Sequence, residues 1–147
     1  MTRLAHAFWP RWYRALGRLD RPMAWAWRSF GIGNVVRVVL VGWRSGTERP
    51  VFLGLLRVGD RLYLGHPDRA CAWTRNLEAA GGGELEDRNG GRERLTAVLL
   101  EPGPERDAVI RATFHQHPFP GGPLYWLFRA NVWQQGRFYR ITTQEPE

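Results

Sequence analysis

The chain has 147 residues, enough for one domain around one core, and its 44% hydrophobic and 24% charged content is that of a globular protein. No apolar run reaches the ~18 residues of a membrane-spanning helix, and the opening residues mix arginine, proline and tryptophan without the apolar centre of a secretory signal, so a cytoplasmic location is expected. The net charge of +7 is carried by arginine alone; it favours anionic partners, but no dense basic stripe or nucleic-acid module is present, and a nucleic-acid partner is not expected.

Residues 5–30 place Phe8, Trp12, Leu16 and Leu19 at spacings of three and four with arginines between them, which predicts helix. Pro10 and Pro22 are expected to break it into pieces. Two roles fit this segment: a helix that packs on the domain, or one that lies on acidic lipid through its tryptophans and arginines. Residues 1–30 are therefore read as an N-terminal helical segment and 31–147 as the domain proper, with "GIGN" (31–34) as the joint.

Val35–Val41 reads as a buried strand. It runs into "GWRSGTERP" (42–50), where glycines, hydroxyls and two arginines five apart make a loop that suits either an anion or a plain hairpin turn with solvated side chains. A strand over Val51–Val58 turns through Gly59 and Asp60 into Arg61–Gly65. A helix follows within 66–83, with Asp68 as the expected N-cap, Trp73, Leu77 and Ala80 on one face, and Gly81–Gly83 as its end.

Cys71, the single cysteine, reads as a small packed residue, with no histidine placed to activate it. Glu84–Arg88 and Arg92–Leu100 form a second predicted hairpin. Helices are expected over Glu105–His115 and Pro123–Asn131, and a last strand over Arg137–Thr143. His115 and His117 splay apart at helical spacing, and no further ligand completes a metal site around them; His117-Pro118 reads as a helix stop ahead of a loop that could roof a pocket.

Short, hairpin-linked strands do not build a parallel doubly wound sheet. The expected fold class is α+β, a small and mostly antiparallel barrel with helices inserted between its strands.

Three stretches in order, "RSGTERPVFLGLLRVGDRLYLGHP", "AWTRNLEAAGGGEL" and "ERDAVIRATFHQHPFPG", resemble the deazaflavin-dependent nitroreductase family, a branch of the split β-barrel flavin and deazaflavin oxidoreductases. The resemblance runs from Gly31 to Ile141. It implies a split barrel that binds the deazaflavin coenzyme F-420, with FMN as the alternative, and that passes a hydride to a quinone, a nitro compound or an activated alkene. By the same resemblance, Arg44, Ser45, Gly46, Arg49 and Pro50 hold the coenzyme's phosphate and acidic tail. Leu64, Gly65, His66 and Pro67 meet the ring, with Trp73 and Asn76 behind them. Tyr125 and Tyr139 stand as substrate-orienting tyrosines, although core packing explains them equally well.

Hydride transfer needs neither nucleophile nor metal, only a ring held against an acceptor away from water, and helix N-terminal amides around His66 to Arg69 would favour an anionic ring. Two rivals stay open: a split barrel that stores flavin, deazaflavin or haem without turnover, and a membrane-surface protein docked through residues 1–30. Barrels of this kind leave sheet edges to cover, so a homodimer is expected.

Overall fold

The computed structural model describes residues 2–17 and 20–144. Two helices open it, α1 (Thr2–Gly17) and α2 (Asp20–Phe30). Pro10 lies inside α1 without ending it. It is exposed, and because proline lacks an N–H only the carbonyl four residues back, that of His6, loses its intrahelical donor. Pro22 sits in the first turn of α2, where a missing N–H costs nothing.

The strands β1 (Val35–Val41), β2 (Glu48–Gly54), β3 (Leu56–Val58) and β4 (Arg61–His66) follow, then α3 (Ala72–Ala80), β5 (Gly82–Glu86), β6 (Arg92–Leu99), the helices α4 (Pro104–Gln116), α5 (Gly121–Leu127) and α6 (Arg129–Gln135), and β7 (Arg137–Gln144). The strand expected over Val51–Val58 is thus two strands, and the helix expected over Pro123–Asn131 is two helices. β2 also begins earlier than its apolar run, because Glu48, Arg49 and Pro50 pair with Val41, Leu40 and Val39. Pro50 is tolerated there since β2 is an edge strand, with one side free of ladder bonds.

All pairings are antiparallel, in the order β2-β1-β5-β6-β7-β4-β3. The two edge strands are nevertheless neighbours in sequence, separated by Leu55 alone. One intervening residue spans at most about 7 Å between the Cα atoms on either side, so the sheet must curl until its edges nearly meet. Asn34 fixes that crossing point: Leu55 N–H donates to its carbonyl at 2.9 Å, and its side-chain amide donates back to the Leu55 carbonyl at 3.2 Å.

Side-chain alternation then sorts the core into two clusters. Leu64, Tyr139 and Ile141 point inside the curl with Val38, Leu40, Leu53, Trp73, Leu77 and Leu95. Tyr63 and Phe138, one residue out of phase, point outward and pack under the helices with Ala5, Trp9, Val109, Ile110, Tyr125 and Val132. Gly65 is small for the sake of this layer, because a Cβ there would meet the Phe138 ring. Gly54 likewise leaves space for the imidazole of His117, the residue at which α4 ends, and this ring stacks on Tyr125 at 4.6 Å.

Candidate functional site

The helix expected to start at Asp68 starts at Ala72, with Cys71 as its N-cap. Cys71 N–H donates to the Thr74 hydroxyl at 2.8 Å. Asp68 is unavailable for capping because its carboxylate is claimed elsewhere: His6 Nδ1 lies 2.7 and 2.9 Å from its two oxygens, and Asn131 Nδ2 donates to it at 3.1 Å. Residues 67–71 therefore form a connection that folds back against α1 and α6. The amides at the positive end of α3 belong to the turn at Ala72, not to His66–Arg69.

That connection forms one wall of a cleft of about 960 Å³. His6, Trp9, Pro10 and Tyr13 of α1 make a second wall, the β1–β2 loop a third, and Ala72, Trp73 and Asn76 of α3 the floor. The loop holds its shape through its own bonds. Gly42 N–H donates to the Thr47 carbonyl and Gly46 N–H to the Gly42 carbonyl, each at 2.8 Å, with Gly46 in the left-handed region at φ +70°. The hydroxyls of Ser45 and Thr47 bond each other at 2.8 Å. Asn76 then ties the loop to the floor, its side-chain carbonyl accepting from Trp43 N–H at 3.0 Å.

Among the described residues, none of the cleft arginines Arg44, Arg49 and Arg69 pairs with a carboxylate, whereas Arg37, Arg61, Arg92, Arg137 and Arg140 do. Arg44 lies over the Trp43 ring at 4.4 Å. The single acidic group on the cleft wall is Asp68, which is already engaged. A water-facing pocket with three uncompensated guanidinium groups is an anion receptor by charge and by fork geometry.

At the other end the wall is aromatic. His66 is 4% exposed, stacked on Tyr13 at 5.2 Å and met edge-on by Trp73 at 5.8 Å. Its Nδ1 lies against the Asp68 backbone, 3.1 Å from the carbonyl oxygen and 3.2 Å from the N–H. Cys71 packs against the core inside the curl, as expected, and also borders the cleft beside this ring. Burial works to raise its thiol, but the hydrogen bond and charge of His66, aided by Thr74, carry it below the usual thiol range. The histidine that acts on it is five residues upstream, brought close by the turn at residues 67–70.

Of the residues that the sequence points to, Arg44, Ser45, Arg49, Pro50, His66, Trp73 and Asn76 border the cleft together. Gly46 shapes the loop from its tip. Leu64 is packed inside the curl, Gly65 lies against Phe138, and Pro67 presents its carbonyl to Asn131 Nδ2 at 3.1 Å. Neither Tyr125 nor Tyr139 reaches the cleft.

Tyr139 is buried and donates to Glu78 at 2.6 Å. Tyr125 lies behind Tyr13, with 3.4 Å between their hydroxyls, and burial pushes its phenol up to about 12. The tyrosine at the cleft is Tyr13, from the N-terminal segment. Like His6 and Trp9 it carries no site signal in the sequence beyond helical periodicity, and the long-range pairing of His6 with Asp68 leaves no local trace.

No family model matches the chain, and a search of the curated proteins finds no match. Solved structures do match. One described as a domain-swapped dimer aligns with 90% of this chain and 98% of its own at TM-score 0.61 and 16% identity. An F420-H2 dependent reductase (FDR-A) aligns over 74% of this chain and 94% of its own at 0.56 and 18%. HutZ, the haem storage protein from Vibrio cholerae, aligns over 85% and 90% at 0.52 and 16%. The seven-stranded curled sheet is accordingly a split β-barrel, a fold that this chain shares with that reductase and that haem-storage protein.

Proposed function

We propose that the protein binds the deazaflavin coenzyme F-420 in this cleft and is an oxidoreductase that uses it to reduce a quinone, a nitro compound or an activated alkene. The observation that carries the reading is the division of the cleft. An arginine end without carboxylate partners faces an aromatic end built from Tyr13, His66 and Trp73. An elongated ligand with a planar ring and a polyanionic tail matches both ends, and about 960 Å³ accommodates a cofactor-sized molecule. When bound, the coenzyme supplies a hydride; the chain supplies the grip on the tail, the flat wall for the ring and the exclusion of water.

FMN has a similar ring and only one phosphate, so it exploits less of the arginine end. The shared fold with a haem-storage protein makes ligand binding without turnover the second reading. The further proposals are a cytoplasmic location and a homodimer, the latter supported by a structurally similar protein described as a domain-swapped dimer.

The binding test is a fluorescence titration of the purified protein with F-420 and with FMN at low salt, repeated on the Arg44→Ala/Arg49→Ala variant. A charge-assisted hydrogen bond is worth about 1.5–3 kcal/mol, so the variant should bind F-420 at least tenfold more weakly with an unchanged unfolding midpoint. Equal affinity of parent and variant would remove the arginines from the site.

A further inference from the structure

We propose that His6 and Asp68 are a proton-delivering dyad in the cleft wall, with His6 giving the proton on Nε2 to the acceptor oxygen during quinone reduction. The inference rests on the proposed oxidoreductase activity. Both oxygens of Asp68 lie within 2.9 Å of His6 Nδ1, and Asn131 Nδ2 holds one of them from the opposite side at 3.1 Å. Asn131 is itself fixed by the Pro67 carbonyl at 3.1 Å. The carboxylate is thus held by groups from α1 and α6, elements far apart in the chain.

Asp68 is 4% exposed. Burial alone would raise its pKa, but the bonds from His6, Asn131 and the Arg69 amide outweigh it and hold the carboxyl below its usual range. An ionised carboxylate only accepts, so the proton between the two side chains sits on Nδ1 and the reactive atom of His6 is Nε2. Among the described residues no protein group bonds Nε2, and the His6 side chain keeps 21% exposure where it borders the cleft.

Its neighbours on the wall are less suited to the task. His66 has Nδ1 occupied by the Asp68 backbone and is enclosed by two aromatic rings. The Tyr13 hydroxyl faces Tyr125, and burial raises its pKa well above the ordinary value. Cys71 has its thiol against His66, while Arg44, Arg49 and Arg69 do not give up protons at physiological pH.

A hydride from the bound coenzyme, whose C–H bond would break with the loss of two electrons, would take the quinone to a hydroquinone monoanion. The Nε2–H bond of the His6 imidazolium breaks and an O–H bond forms; the neutral imidazole keeps Nδ1–H on Asp68 and recovers its proton from water.

Two measurements test the dyad. Imidazole proton–nitrogen NMR of the protein alone should place a proton on His6 Nδ1, against Asp68, in both the neutral and the protonated ring; a neutral ring that carries its proton on Nε2 instead overturns the relay whatever the activity. With F-420 reduced beforehand and menadione as acceptor, His6→Gln should lower kcat about 10²-fold, with KM and coenzyme affinity within twofold of the parent, while His115→Gln, at an exposed position of α4 outside the cleft, keeps the parental rate. Undiminished kcat in a folded His6→Gln overturns the dyad alone, since the parent's turnover still supports the oxidoreductase. A parent that does not turn over removes the reaction and the dyad together, and the parental assay by itself tells the two cases apart.

Discussion

Burial of the His117 imidazole against Tyr125 lowers its pKa from the ordinary 6.5 to about 4. The unfolded chain takes up this proton below about pH 6.5 and the folded one only below about 4, so unfolding binds a proton within that window. The stability from neutral His117 is full above pH 6.5 and is lost as the pH falls through 4, on the order of 3 kcal/mol in all. His117→Phe preserves the stack without the titration. Its urea midpoint should fall less than the parent's between pH 7 and pH about 4.5, and parallel losses in the two proteins would contradict this origin.

Trp73 carries a different kind of consequence. It borders the cleft with one edge while most of it fills the inside of the curl. Trp73→Ala should cost about 3–5 kcal/mol in unfolding free energy, measured by urea titration. A variant as stable as the parent would assign the residue to the ligand instead of the core.

At the scale of elements, the legible parts were those with local causes. β1 ran over the same residues as its apolar stretch, and α4 and β7 fell within a residue of expectation, because turn chemistry and periodicity bound them on both sides. The N-terminus of α3 did not, since what displaced it was a bond between residues 6 and 68, a partnership that no local pattern records. The cleft was half legible for the same reason. Its arginine loop lies within one stretch of nine residues, whereas its aromatic wall combines Tyr13 with His66 and Trp73 from separate elements.

α1 accordingly has both a packing role and a site role. Trp9 is buried beneath it, between Tyr125 and Phe128, and shares the cleft wall with His6 and Tyr13. Trp9→Phe, a milder change than alanine, should lower the unfolding free energy by about 1–3 kcal/mol and weaken coenzyme binding, as the wall shifts. Weaker binding at unchanged stability would mean that Trp9 touches the ligand directly.

For the whole molecule, the surface charge and the exposed aromatic groups are what bear on partners. Trp25 and Phe30 of α2 stand largely in solvent, and no described helix is long and apolar enough to cross a membrane. If the acceptor is a membrane quinone, α2 is the surface that would meet the bilayer. Co-sedimentation with anionic liposomes should then fall in Trp25→Ser/Phe30→Ser, and equal sedimentation of variant and parent would remove that contact.

The +7 balance acts over about 8 Å at physiological ionic strength, so it assists the coenzyme's tail only along the arginine end of the cleft. The advantage of F-420 over FMN should therefore shrink as salt rises from about 0.05 to about 0.5 M. The most direct measurement is turnover itself: reduced F-420 and menadione are mixed with and without the protein, and oxidation of the coenzyme is followed by its absorbance. Oxidation should rise in rate in proportion to protein and be lost in Arg44→Ala/Arg49→Ala at limiting coenzyme. Tight F-420 binding with no acceleration by any quinone or nitro compound would contradict this and make the protein a carrier of its ligand.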